Sequence, residues 1–174
     1  LKSFEQASGK NNADGHYYVG LMQFIGKGSD RSHPELAKIS FEEASKQNHR
    51  KAFFQLGIMH QFGIETQQSY EKAIDSYEKA EQQKSVDASY FLGGLHNHGL
   101  GVKQDKAKAL TLWEKAANAP HPKAAFKVGK MYVNAYLETQ DEEKAKKAHQ
   151  YLKQAADANH MDALYLLALL HEEG

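Results

Sequence analysis

The sequence predicts an all-α protein, an α-solenoid of stacked antiparallel helix pairs, on three observations. Small residues preceded by Val or Leu recur at a near-constant period, at Gly20, Gly57, Gly93, Gly129 and Ala168. Bulky residues placed three before an alanine recur at the same period, as Phe4/Ala7, Phe41/Ala44, Tyr77/Ala80, Trp113/Ala116 and Leu152/Ala155. The interval from each bulky residue to the next small one is 16 positions every time: Phe4 to Gly20, Phe41 to Gly57, Tyr77 to Gly93, Trp113 to Gly129 and Leu152 to Ala168. All length variation falls on the other side, between the small residue and the next bulky one. A period of roughly 36 residues in a chain with few prolines and few β-branched runs means stacked helix pairs.

The individual helices carry their own signals. In the first unit, Ser32-His33-Pro34-Glu35 reads as a capping box. In the third, Ala88, Phe91, Leu92 and Leu95 recur at helical spacing. That helix should stop near Gly99, which can take the left-handed cap, and the next should open on Asp105 as N-cap. In the fourth, Asp141 caps, and Glu142 and Glu143 suit the first turn of a helix dipole. The extra residues of that unit lie between Asp141 and Leu152 and add nearly one helical turn, so the packing face is kept. The whole of 1–174 reads as one repeat domain: a tail at 1–12, units at 13–48, 49–84, 85–120 and 121–160, and the start of a further unit at 161–174. Residues 1–8 read as the end of a second helix, and 162–173 as a first helix whose partner follows Gly174. Leu1 in place of Met predicts further sequence upstream. The apolar face of Leu164, Leu167 and Leu170 should then be partly uncovered, which would allow end-to-end self-association.

A glycine inside a helix costs about 0.5–1 kcal/mol against alanine. Gly20, Gly57, Gly93 and Gly129 must recover that cost through close approach of a neighbouring helix, with the bulky residue filling the wedge between consecutive pairs. On this reading Gly93→Ala is tolerated and Gly93→Leu is not.

Composition excludes several classes of function. Lys+Arg and Asp+Glu both number 22, so the net charge is zero, against the basic excess of a nucleic-acid or anionic-membrane surface. There is no cysteine, hence no disulfide framework and no thiol chemistry. This fits a reducing compartment, with a weak lean to the cytoplasm and no signal segment visible, while a secreted, periplasmic or ER-lumenal location stays open. The apolar run Leu164–Leu170 is too short to insert in a bilayer.

Chemical motifs are sparse. "GLGVKQD" at 99–105 has the look of a phosphate loop. In its counterparts, "GKGSDRS", "GIETQQS" and "AYLETQD", the second glycine and the lysine come and go. It therefore reads as one helix-to-helix turn in a series. Among ten histidines, "HNH" at 96–98 spaces two rings about 200° apart on a helix. His60, His96 and His171 each follow the small residue by three and read as packed, partly polar side chains. No HExxH and no cysteine supports a metal site. No nucleophile–base pair stands out, so no catalytic, cofactor or metal residue is assigned and the chain is read as a non-enzyme.

Two positions recur along the stack. Asp14, Lys51, Asp87, Lys123 and Asp162 precede the small residues by six and alternate in sign. They read as helix-capping aspartates and solvated lysines, with an ion-pair ladder between neighbouring repeats as the sharper alternative. Tyr17, Phe54, Tyr90, Phe126 and Tyr165 precede the small residues by three and are all aromatic. If they face a groove, they form a row suited to a peptide. If they do not, they are core.

The third unit, with Ala88, Leu92, Gly93, Gly99, Gly101, Val102, Asp105, Lys108, Ala109, Trp113, Lys115, Ala116 and Ala117, resembles a Sel1-like repeat, a relative of the tetratricopeptide repeat. The second unit keeps Ala52, Leu56, Gly57, Gly63, Lys72, Ala73, Tyr77, Lys79 and Ala80. The resemblance covers essentially the whole chain. It departs at His60, His96, His171 and Gln23, where the family has Tyr, at Ala168 for Gly, and at Gly15 for Ala. The resemblance implies a protein-interaction scaffold or adaptor that binds a protein or peptide on a face lined by the first helix of each pair. It also admits a regulatory module attached to a larger enzyme, or a co-chaperone that clamps a carboxylate. Such a clamp would use the aromatic-row positions and Leu21, Ile58, Gly94, Lys130 and Leu169, of which only Lys130 suits a carboxylate.

Overall fold

The computed structural model describes residues 12–28 and 31–172. The readings at Phe4, Ala7 and the tail 1–8, and the ring of His171, lie outside the described residues. Among the described residues the chain forms nine helices and no strand: α1 (Ala13–Ile25), α2 (Pro34–Lys46), α3 (Arg50–Phe62), α4 (Tyr70–Gln82), α5 (Val86–His98), α6 (Lys106–Asn118), α7 (Pro122–Thr139), α8 (Glu142–Asp157) and α9 (Met161–Glu172). They divide into two compact units. One holds the residues up to Ala88 with Leu100–Lys103, and the other Ser89–Gly99 with the residues from Gln104 onward. In the first, α1 packs on α2, α2 on α3 and α3 on α4; in the second, α6 packs on α7, α7 on α8 and α8 on α9.

The helix ends follow local chemistry. Asp105 caps α6 by accepting the Lys108 N–H at 2.8 Å, and Asp141 caps α8 by accepting that of Glu143 at 3.0 Å. Gly99 and Gly101, at φ 66° and 69°, take the left-handed conformation that turns the chain between α5 and α6. The glycine pair thus serves the turn. The capping box at Ser32 does not form. Pro34 disfavours helical backbone at His33, so the helix opens at Pro34 with His33 as N-cap, and Glu35 meets the His33 ring at 3.1 Å instead. At Ala135, which stands where three earlier units have glycine, α7 runs on to Thr139, and Gln140 and Asp141 alone make the turn.

Three-residue turns join successive pairs. His49, Ser85 and His160 each donate their N–H to the carbonyl of an alanine five residues back, Ala44, Ala80 and Ala155, at 3.0–3.2 Å. The middle residues, Asn48, Lys84 and Asn159, are left-handed at φ 61°, 64° and 61°.

The core of each unit is built on the small-against-bulky contact. In the first, Tyr17, Ala37, Phe41, Ala44, Ala52, Leu56 and Met59 form one buried cluster from α1, α2 and α3. Phe41 therefore fills both its own pair and the wedge to the next. A Cβ added at Gly20 would lie 2.7 Å from Cε1 of Phe41, and one at Gly129 would lie 2.7 Å from Cγ of Leu152. At Gly57 it would overlap the Tyr77 ring.

Gly93 corrects the expectation drawn from propensity. A Cβ there would stand 2.5 Å from Nε1 of Trp113, whose indole N–H is held on the Tyr90 carbonyl at 2.9 Å. Even alanine must displace a tethered ring. The adjacent Gly94 has nothing within 4 Å of an added Cβ. Two neighbouring glycines should therefore respond with opposite sign. Gly93→Ala lowers stability by about 1–3 kcal/mol through overpacking, and Gly94→Ala raises it by about 0.5–1 kcal/mol through helix propensity. Thermal melts of the two variants check this; the same sign for both would refute the packing account.

Candidate functional site

The aromatic row lies on the first helices of successive pairs, and each ring has a different setting. In the first unit, Tyr17 on α1 is 7% exposed. It is stacked on His49 with centroids 4.7 Å apart and tilted against Phe41 at 5.9 Å. Burial raises the pKa of its hydroxyl against an opposing hydrogen bond from Gln55, so the phenol stays neutral. Phe54 on α3 is half-buried and tilted on Tyr77 at 5.7 Å. In the second unit, Tyr90 and Phe126 are half-buried and lie against His121 at 4.7 Å and His160 at 4.3 Å. Tyr165 on α9 is 65% exposed, beside exposed Met161 and Leu164. Lys130 is exposed on α7.

The histidines under these rings were not singled out by the sequence. His49, Ser85, His121 and His160 open the first helix of successive pairs. Nδ1 of His49 accepts the Ala52 N–H at 3.1 Å, and Nδ1 of His121 accepts that of Ala124 at 3.0 Å. Ser85 does the same for Ala88 through its hydroxyl at 3.3 Å. His160 serves through its backbone carbonyl, which takes the Ala163 N–H at 3.0 Å. Nε2 of His49 lies 3.0 Å from Asp14, so the ring donates there as the Nε2–H tautomer while Nδ1 accepts. One imidazole thus caps a helix, supports the preceding aromatic ring and binds the preceding repeat. The signal was present: each of these residues stands three before the alanine that leads its repeat.

Asp14 therefore meets His49, while Lys51 lies over the Tyr17 ring at 5.8 Å. Asn12, in place of Asp14, caps α1.

Among the described residues, those three after the small one are buried or half-buried, His60 and His96 among them. Gln23 accepts a hydrogen bond from Ser40 at 2.8 Å, and His96 is 3% exposed. Tyr132 donates to Glu114 at 2.8 Å, and burial together with that carboxylate pushes its pKa to about 12. His60 has a buried Nδ1 with no hydrogen-bond partner, and burial, then Lys72 and Lys38, hold its pKa below the usual imidazole range.

Two open clefts line the first-helix side of the first unit. One, of about 410 Å³, is bordered by Tyr17, Arg50, Lys51, Phe54, Lys84 and Asp87, among others. The second adjoins it and shares Arg50 and Lys51. Among the described residues no cluster of His, Cys, Asp or Glu is placed to hold a metal, and no helix is long and apolar enough to cross a membrane.

Comparison with known proteins supplies context for this geometry. The Sel1 repeat family matches residues 13–49, 50–85, 86–121, 122–160 and 162–174. No curated protein matches the chain. Among solved structures, a protective antigen of uropathogenic Escherichia coli strains displaying an SLR fold is 22% identical with a TM-score of 0.87, over 99% of this chain and 36% of that one. A Sel1 repeat protein from Oxalobacter formigenes is 25% identical with a TM-score of 0.82, over 93% of this chain and 64% of that one. The Helicobacter pylori cysteine rich protein B is 18% identical with a TM-score of 0.56, over 71% of this chain and 92% of that one. The chain thus spans less than two thirds of the first two.

His60 gives a testable pH dependence. Its ring is neutral in the fold and takes up a proton more readily when unfolded, so the unfolded chain binds more protons. Stability is complete above the ordinary imidazole pKa of 6.5 and falls as pH drops below it. His60→Tyr should flatten the decline of Tm between about pH 7 and pH 5. An unchanged slope would mean that His60 does not carry the acid lability.

Proposed function

The chain belongs to the Sel1 repeat family, and we propose that it is a scaffold that binds a protein or peptide on the first-helix faces of its repeats. Sel1 repeats are generally protein-interaction modules and typically non-enzymatic. The observation that carries the finer reading is the recurrence of an aromatic ring at one position of every first helix, with Tyr165 65% exposed and Phe54, Tyr90 and Phe126 half-buried. Rings with one face on the protein and an edge toward solvent offer large contact area with few torsions to freeze. Lys130 adds a solvent-facing cation to the proposed set. Tyr17, being buried, contributes mainly as the wall behind Lys51.

A displayed random-peptide library selected against the whole chain tests the reading, followed by titration of the enriched peptides. For peptides that engage the central rings, Tyr90→Ala with Phe126→Ala should weaken binding by about 2 kcal/mol or more. Tyr165→Ala, at an exposed position, isolates the surface effect with an unchanged melt. A library that yields no binder contradicts the reading. So does binding that is undiminished in Tyr165→Ala and in a folded Tyr90→Ala/Phe126→Ala protein.

A further inference from the structure

We propose that the cleft bordered by α1, α3 and the turn between α4 and α5 anchors an acidic segment of the partner. Carboxylates would lie on Arg50, Lys51 and Lys84, and an apolar side chain against Phe54. The inference rests on the peptide-binding reading above and assigns the chemistry of one stretch of it.

Three observations converge on this cleft. First, its charge is one-sided. Arg50, Lys51 and Lys84 border it against the single carboxylate of Asp87, in a chain whose overall charge is zero. Second, the cations stand where folding does not favour them. Arg50 and Lys51 are the first two residues of α3, at the positive end of its dipole. Lys84 holds the left-handed position of its turn, φ 64°, where the equivalent turns have Asn48 and Asn159. Asparagine tolerates that conformation better than lysine does. Local choices that oppose helix and turn preference yet direct like charges into one cleft are the kind of conflict that marks a binding site.

Third, the cations are arranged for an incoming anion. The Arg50 guanidinium is braced by a hydrogen bond from Nη1 to the Gln83 carbonyl at 3.2 Å, which leaves other N–H groups of its fork for a carboxylate. Lys51 rests over the Tyr17 ring, which keeps its ammonium at the cleft. Phe54, half-buried on the same helix as Arg50 and Lys51, gives the cleft an apolar side. Cations beside a ring suit a peptide in which acidic and large apolar residues are neighbours.

The test is a titration of the whole ¹⁵N-labelled chain followed by amide chemical shifts. The probes are the capped peptide Ac-Glu-Glu-Phe-Glu-NH2 and its glutamine and lysine counterparts. The acidic peptide should shift the amides of residues 50–55 and 84–87 in a saturable way. It should bind at least about tenfold more tightly than the glutamine peptide and weaken steeply with added salt. Lys51→Glu with Lys84→Glu should abolish the effect while the circular-dichroism melt does not fall, since both side chains are exposed and a carboxylate in the first turn of α3 suits its dipole. If acidic and glutamine peptides shift the same residues equally, the cleft binds peptides without selecting charge, and this inference fails while the scaffold reading survives. If the acidic peptide leaves these residues unshifted, the inference also fails, and the library selection decides the scaffold reading separately. A larger response to phosphatidylserine vesicles than to the acidic peptide would reassign the patch to a membrane surface and overturn the proposal.

Discussion

Where the two helices of a pair cross, there is no room for a β-carbon. Phe41, Tyr77, Trp113 and Leu152 fill the space that a side chain on Gly20, Gly57, Gly93 or Gly129 would need. The contact is two-sided. A larger residue on the first helix pushes the second away, and a smaller one on the second leaves a cavity. The bulky side chain cannot easily swing aside. The Tyr77 hydroxyl donates to Gln61 at 2.8 Å, and the Trp113 indole to the Tyr90 carbonyl. Burial also drives the Tyr77 hydroxyl well above the usual phenol range, so it remains a donor. With that distance fixed, the alanines at 44, 80, 116 and 155 are buried, and the chain can turn tightly into the next pair.

The proposed binding face grows out of the same regularity. The ring at each row position lies one turn before the close-packed small residue, so its direction is set by the helix crossing. Its back is then supported by the residue that caps the next first helix, a histidine at 49, 121 and 160. On the proposed reading, stability and recognition share side chains. Truncating a ring removes a support as well as a contact, which makes exposed Tyr165 and the cleft lysines more informative about binding than buried Tyr17.

Much of the architecture was legible in the sequence because it rests on spacing. The constant interval between bulky and small residues is a packing rule written along the chain, and Asp105 and Asp141 announce helix starts by their own chemistry. The remainder depended on competition between local effects. Pro34 overrode the capping signal of Ser32 and Glu35. Propensity alone made Gly93→Ala look harmless, because the tethered Trp113 ring is a three-dimensional fact. The capping histidines are hard to read in the sequence because they stand eight before the small residues, and serine replaces histidine at position 85. The cationic cleft was illegible for another reason. Lys84 and Lys51 are far apart in sequence, and the packing of their repeats brings them to one rim.

The central claim is that small and bulky residues at each crossing are chosen for one another. A double-mutant cycle on Gly57 and Tyr77 measures this most directly, with stability read from denaturant unfolding. Gly57→Ala alone should cost about 1–3 kcal/mol by overlap with the ring. Tyr77→Val alone should cost about 3 kcal/mol or more by opening a cavity. Together they should cost less than the sum by more than about 0.5 kcal/mol, because the new methyl group enters the space the ring has left. Additivity within that margin would contradict the account and would mean that these glycines are present for some reason other than the rings they face.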